Sequence, residues 1–60
     1  MEELFSYVPP EDERATLTVN AGRDKCSVIC TWSYDGVSVD LTPDKARELG
    51  QILIRWADDR

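Results

Sequence analysis

The chain has 60 residues, with twelve acidic against seven basic side chains, no histidine and two cysteines, and a net charge of −5. A chain of this size forms one domain at most, burying only about 60% of the surface its unfolded form exposes, which leaves no room for an enclosed catalytic cleft. Its acidic balance opposes the phosphate neutralisation behind nonspecific nucleic-acid affinity, so direct nucleic-acid binding is not expected. An acidic surface keeps a small domain soluble and attracts basic protein partners.

The opening MEELFSYVPP starts with acids and carries neither a basic leader nor a long apolar run, unlike a secretory signal. No stretch approaches the roughly twenty apolar residues that cross a bilayer. The chain therefore reads as soluble and cytoplasmic, with reduced cysteines. Residues 1–15 read as an N-terminal arm, because Pro9-Pro10 stops a helix and favours extended backbone. Three fates are open to Leu4, Phe5 and Tyr7: packing back on the domain, docking on a partner, or remaining mobile.

Residues 16–60 read as a single β-β-β-α domain. TLTVNA, from Thr16, alternates polar and apolar residues with period two, and CSVICTWSY is rich in β-branched and aromatic residues. Gly22-Arg23-Asp24-Lys25 is the loop between them. Asp35-Gly36 signals a two-residue hairpin turn, since a type I′ turn needs positive φ at both central positions. That turn would set Tyr34 opposite Val37, Trp32 opposite Val39 and Cys30 opposite Leu41. A four-residue loop at 22–25 sets Ala21 opposite Cys26, Val19 opposite Val28 and Leu17 opposite Cys30. All these side chains share one face, because paired positions share a face and neighbours along a strand alternate. The opposite face is polar, Ile29 excepted.

The helix that follows is marked by Thr42 as N-cap, Pro43 in the first helical position and Asp44 in the positively polarised first turn. Ala46, Leu49, Ile52, Leu53, Trp56 and Ala57 recur at helical spacing as one apolar stripe, with Ile54 outside it. Gly50 costs about 1 kcal/mol relative to alanine in a helix interior, so it marks a weak point or a close approach. The expected fold is α+β: a three-stranded antiparallel meander with one C-terminal helix packed on its apolar face. Trp56 would then lie near Trp32 and Tyr34.

No catalytic, cofactor or metal constellation is present in this pattern. Residues four apart on a strand are about 13 Å apart, whereas a disulfide needs Cα atoms within about 7 Å; Cys26 and Cys30 cannot pair, and they read as buried core residues or as a contact to another chain. Zinc would need further ligands at closer spacing. The carboxylates are scattered. Asp40 reads as solvated or paired with a basic side chain, and Asp58 and Asp59 as fraying into solvent or meeting a basic partner. Aromatic side chains dominate binding hot spots. The interface candidates are accordingly Phe5, Tyr7, Trp32, Tyr34, Leu49, Ile52, Ile54 and Trp56.

The Asp35-Gly36-Val37 turn, the strand end Asp40-Leu41, the Thr42 cap, the helix positions Ala46, Leu49, Leu53 and Trp56, and Arg60 together carry a family likeness. The stretch from Asp35 to Arg60 resembles the N-terminal oligomerisation domain of the actinobacterial H-NS-like xenogeneic silencers. It is also similar to the ends of small actinobacteriophage proteins. The strand after Gly36 and the loop before Cys26 are shorter than the family's, and its basic DNA-binding domain has no counterpart in these residues. The resemblance implies a small sheet packed on a helix, dimerisation, and a free-standing module that associates with and modulates a nucleoid-associated silencer. The expectation is thus a non-enzymatic protein–protein interaction module, a homodimer, with a host nucleoid-associated or other basic regulatory protein as further partner. The alternative is an acidic phage-type inhibitor that occupies a basic nucleic-acid-binding surface of a host protein. Salt separates the two, because electrostatic association weakens with ionic strength.

Overall fold

The computed structural model describes residues 2–60. Four strands and one helix follow in order: β1 (Glu2–Tyr7), β2 (Ala15–Ala21), β3 (Cys26–Trp32), β4 (Asp35–Leu41) and α1 (Pro43–Asp58). The strands form one antiparallel sheet in the order β1-β2-β3-β4. The class is α+β, but the meander has four strands where three were expected.

The additional strand comes from the segment read as an arm. Phe5 pairs with Val19 and Tyr7 with Leu17, so the N-terminus extends the apolar face of the sheet. A bulge between Glu3 and Phe5 interrupts the ladder. Pro9-Pro10 lies in the connection to β2, where the Asp12 N–H donates to the Pro9 carbonyl at 3.2 Å and the Ala15 N–H to the Asp12 carbonyl at 3.2 Å. The prolines thus end β1 and turn the chain.

Between β2 and β3 the observed register is the expected one, with Ala21 opposite Cys26, Val19 opposite Val28 and Leu17 opposite Cys30. In the loop at 22–25, the Gly22 N–H donates to the Lys25 carbonyl at 2.9 Å. A Cβ on residue 22 would lie 2.6 Å from that carbonyl oxygen, which is why glycine occupies it.

The hairpin from β3 to β4 departs from expectation. Its turn is Ser33-Tyr34, with Ser33 at φ 57°, while Gly36 has no positive φ and sits within β4 opposite Thr31. Trp32 faces Asp35, Cys30 faces Val37, Val28 faces Val39 and Cys26 faces Leu41. The turn lies two residues earlier than the Asp35-Gly36 reading, which displaces each β3 residue's partner on β4 by four. The helix cap supplies the reason: β4 ends at Leu41, so the expected register would leave the first half of β3 without a partner, whereas the observed one pairs β3 from Cys26 to Trp32. A four-residue slip conserves side-chain parity. The apolar face therefore survives the change of turn.

Side-chain bonds fasten the polar face. The Thr16 and Thr31 hydroxyls bond each other across β2 and β3. Ser27 Oγ donates to Asp40 Oδ1 at 2.7 Å, so Asp40 is held by a hydroxyl where solvent or a basic partner was expected. Ser27, at 8% exposure, is the one buried side chain among the described residues.

The helix forms where local signals place it. Thr42 Oγ1 accepts the Lys45 N–H at 3.3 Å, Pro43 follows, and Asp44 lies in the first turn. Lys45 with Glu48 at 3.2 Å and Arg47 with Asp44 at 3.0 Å are exposed i,i+3 pairs, worth a few tenths of a kcal/mol at most. The helix does not act as a lid, however. It makes sparse contact with β4, and all of its residues from Gln51 onward are exposed. Nothing lies within 4 Å of a Cβ built on Gly50, so no close approach explains that glycine.

Candidate interaction surface

A single chain of this protein has no buried apolar side chain among the described residues. Its strands alternate correctly and its helix is amphipathic, yet the two apolar faces do not cover each other. On the sheet, Phe5, Tyr7, Trp32, Val37 and Val39 remain exposed along one face. On α1, Leu49, Ile52, Leu53 and Trp56 remain exposed, Leu53 at 57%. Leu41 joins the two surfaces, lining one open hollow with Leu49 and Ile52 and another with Ala46 and Cys26.

Two global quantities measure how much is uncovered. A folded monomer of 6.8 kDa exposes about 4,000 Å² by the usual size scaling, and this chain exposes 5170 Å². The excess, about 1,200 Å², exceeds the roughly 800 Å² that each partner contributes to a standard interface. The radius of gyration is 12.7 Å, against about 10.4 Å for a compact chain of this length.

The eight sequence-derived candidates divide by location. Phe5 and Tyr7 stand on the sheet's apolar face beside Val19 and Leu17. Leu49, Ile52 and Trp56 follow the helix stripe, and Ile54, at 63% exposure, widens it. Tyr34 occupies the hairpin turn and is wholly exposed.

Trp32 is held by its own chain. Its indole Nε1 donates to Asp12 Oδ2 at 2.9 Å, and the Arg14 guanidinium lies 4.7 Å above the ring centroid. Arg14 also donates its backbone N–H to Asp12 Oδ1 at 3.1 Å, and its carbonyl accepts the Ser33 N–H at 2.9 Å. The indole hydrogen bond, helped by the Arg14 backbone N–H, holds the Asp12 carboxyl below its ordinary value of 3.8. This cluster ties the β1–β2 connection to the hairpin turn.

Trp56 does not join Trp32 and Tyr34 as expected. Its ring is covered by the Arg60 guanidinium at 4.6 Å, while Tyr34 projects freely. A helix standing off the sheet cannot carry Trp56 to the hairpin. The cysteines also depart from the buried reading, since Cys26 is half-buried and Cys30 exposed on the apolar face, both as free thiols.

Asp12 and Arg14 carried no recognisable signal, because they lie 20 and 18 positions from Trp32 and meet it only when Ala15 pairs with Trp32. No group of three or more metal-ligating side chains occurs among the described residues, and no described helix is long and apolar enough to cross a membrane. The sheet edges differ in character. Along β1 stand Glu2, Glu3 and a bulge, which blunt pairing, whereas β4 runs unbroken without proline or lysine. No family model, curated protein or solved structure matches the chain.

Proposed function

We propose that this chain is a non-enzymatic interaction module that works as a homodimer, with the apolar face of its sheet and the stripe of α1 as the associating surface. The observation that carries this reading is the uncovered apolar surface: no apolar side chain is buried among the described residues, and the chain exposes about 1,200 Å² more in total than a compact monomer of the same mass. Doubled across two chains it amounts to about 2,400 Å², within the range of permanent interfaces. Monomeric soluble proteins rarely leave contiguous apolar patches larger than a few hundred Å² in water. A thin core completed by a second subunit is a usual solution for so short a chain.

The likeness of Asp35–Arg60 to silencer oligomerisation domains supports a further role, association with a nucleoid-associated regulator that the module then modulates. Acidic side chains at the surface favour the second reading, a basic protein as target: Glu2 and Glu3 flank the β1 edge, and Asp58 and Asp59 close the helix. Light scattering on a size-exclusion column tests the homodimer. A mass of two chains is expected across a wide concentration range, and a strict monomer at high concentration would remove the proposal. Binding to a purified silencer measured at low and high salt separates the two partner readings. Apolar association persists as salt rises, whereas docking of an acidic face on a basic one weakens steeply.

A further inference from the structure

We infer that the two chains associate by exchanging helices, the apolar stripe of each α1 lying across the apolar sheet face of the other chain. This rests on the self-association proposed above and specifies which surfaces meet. Two kinds of apolar surface are open in the same chain, Ile52 and Leu53 on the helix and Val37 and Val39 on the sheet. Sheet against sheet would leave both helices bare, and helix against helix would leave both sheets bare. Helix on sheet covers both surfaces with one kind of contact, and two-fold symmetry makes that contact twice.

The chain's own geometry directs its helix away from its own sheet. A single residue, Thr42, separates β4 from α1. Its extended backbone (φ −70°, ψ 162°) and its bond to the Lys45 N–H set the departure direction of the helix. From residue 51 onward every residue of the helix is exposed. A second copy offers a surface of matching dimensions. The 16-residue helix is about 24 Å long, and a seven-residue strand spans about 23 Å. One helix, roughly 10 Å wide, covers most of a four-stranded sheet whose outer strands lie about 14 Å apart.

Complementation between two defective full-length chains tests the exchange. Leu53→Lys places a charge in the helix stripe, and Val39→Lys places one in the sheet face. Each variant alone should fail to dimerise, since both of its helix–sheet units are broken. A one-to-one mixture, unfolded and refolded together, should recover the two-chain mass, because one unit of the mixed dimer is unaltered and the other is no worse for its second lysine. Having lysine on both sides excludes rescue by an ion pair. A mixture no more dimeric than its components would overturn the inference. A second measurement needs no variant: isotope-filtered contacts in a mixture of labelled and unlabelled chains. Cross-chain contacts from the Leu53 methyls to those of Val37 and Val39 are expected, and helix-to-helix or sheet-to-sheet contacts alone would overturn it. If the unaltered chain is monomeric, the self-association reading fails; if it dimerises without rescue, only the exchange fails.

Discussion

The sheet and the helix of this protein reach order by different routes. In the sheet, β2 and β3 are paired along their whole length, Thr16 bonds Thr31 across them, Ser27 bonds Asp40 across β3 and β4, and Trp32 meets Asp12 and Arg14 of the β1–β2 connection. The helix has a cap, a proline at its start and two exposed ion pairs, but almost no tertiary support. Helices of this length are marginal in water unless an apolar face is buried. Hydrogen bonding within one chain therefore maintains the sheet, whereas in the proposed dimer the helix would draw on a surface supplied by the partner. Neither apolar face is covered within the chain.

That contrast is most directly broken at Trp56. Trp56→Asp should dissociate the proposed dimer, weakening association about 30-fold or more, as loss of an aromatic hot spot worth at least about 2 kcal/mol would do. Helical circular dichroism should fall on dilution of this variant while the strand signal persists. Loss of both together would show that the sheet depends on the partner as much as the helix does.

Within the sheet, Gly22→Ala forces a Cβ against the Lys25 carbonyl and should lower stability by about 1–3 kcal/mol, as overpacking does. Thermal denaturation at fixed concentration reads this. Ser33→Gly should act in the opposite direction by about 1 kcal/mol, because it relieves a positive φ at a non-glycine residue. Gly50→Ala tests the helix in the same way. With open space around it, the added Cβ should raise stability by about 1 kcal/mol. A fall in dimer affinity would instead place a partner's backbone at that position.

The smallest effect belongs to the Asp12 cluster. The Asp12 carboxyl is held below its ordinary 3.8 by the Trp32 indole and the Arg14 backbone N–H. A depressed folded-state pKa contributes stability above the unfolded value, and that contribution is lost as pH falls through the folded one. Acidification well below pH 3.8, through the depressed folded-state pKa, should therefore release Trp32, visible as a change in its fluorescence in a Trp56→Phe background. Asp12→Asn should show the released signal already at neutral pH and no further change on acidification. A Trp32 signal in the parent that stays level to pH 2 would detach the indole from the carboxylate.

Much of this architecture is legible in the amino-acid sequence because it is set by periodicity and capping. The alternation in residues 16–32 determines which side chains share a face, and Thr42-Pro43-Asp44 determines where the helix begins, both through short-range geometry. The N-terminal strand was hidden because Pro9-Pro10 hides a pairing partner that lies across a loop, and Phe5 and Tyr7 acquire a face only beside Val19 and Leu17. Asp35-Gly36 carries the stronger local turn signal, yet the ladder from Cys26 to Trp32 outweighs it, since a four-residue slip adds backbone pairing without moving any side chain to the other face. Tertiary structure alone decided that α1 stands clear of the sheet. An amphipathic pattern states that a face must be covered, and it does not state whether the cover comes from the same chain or from another.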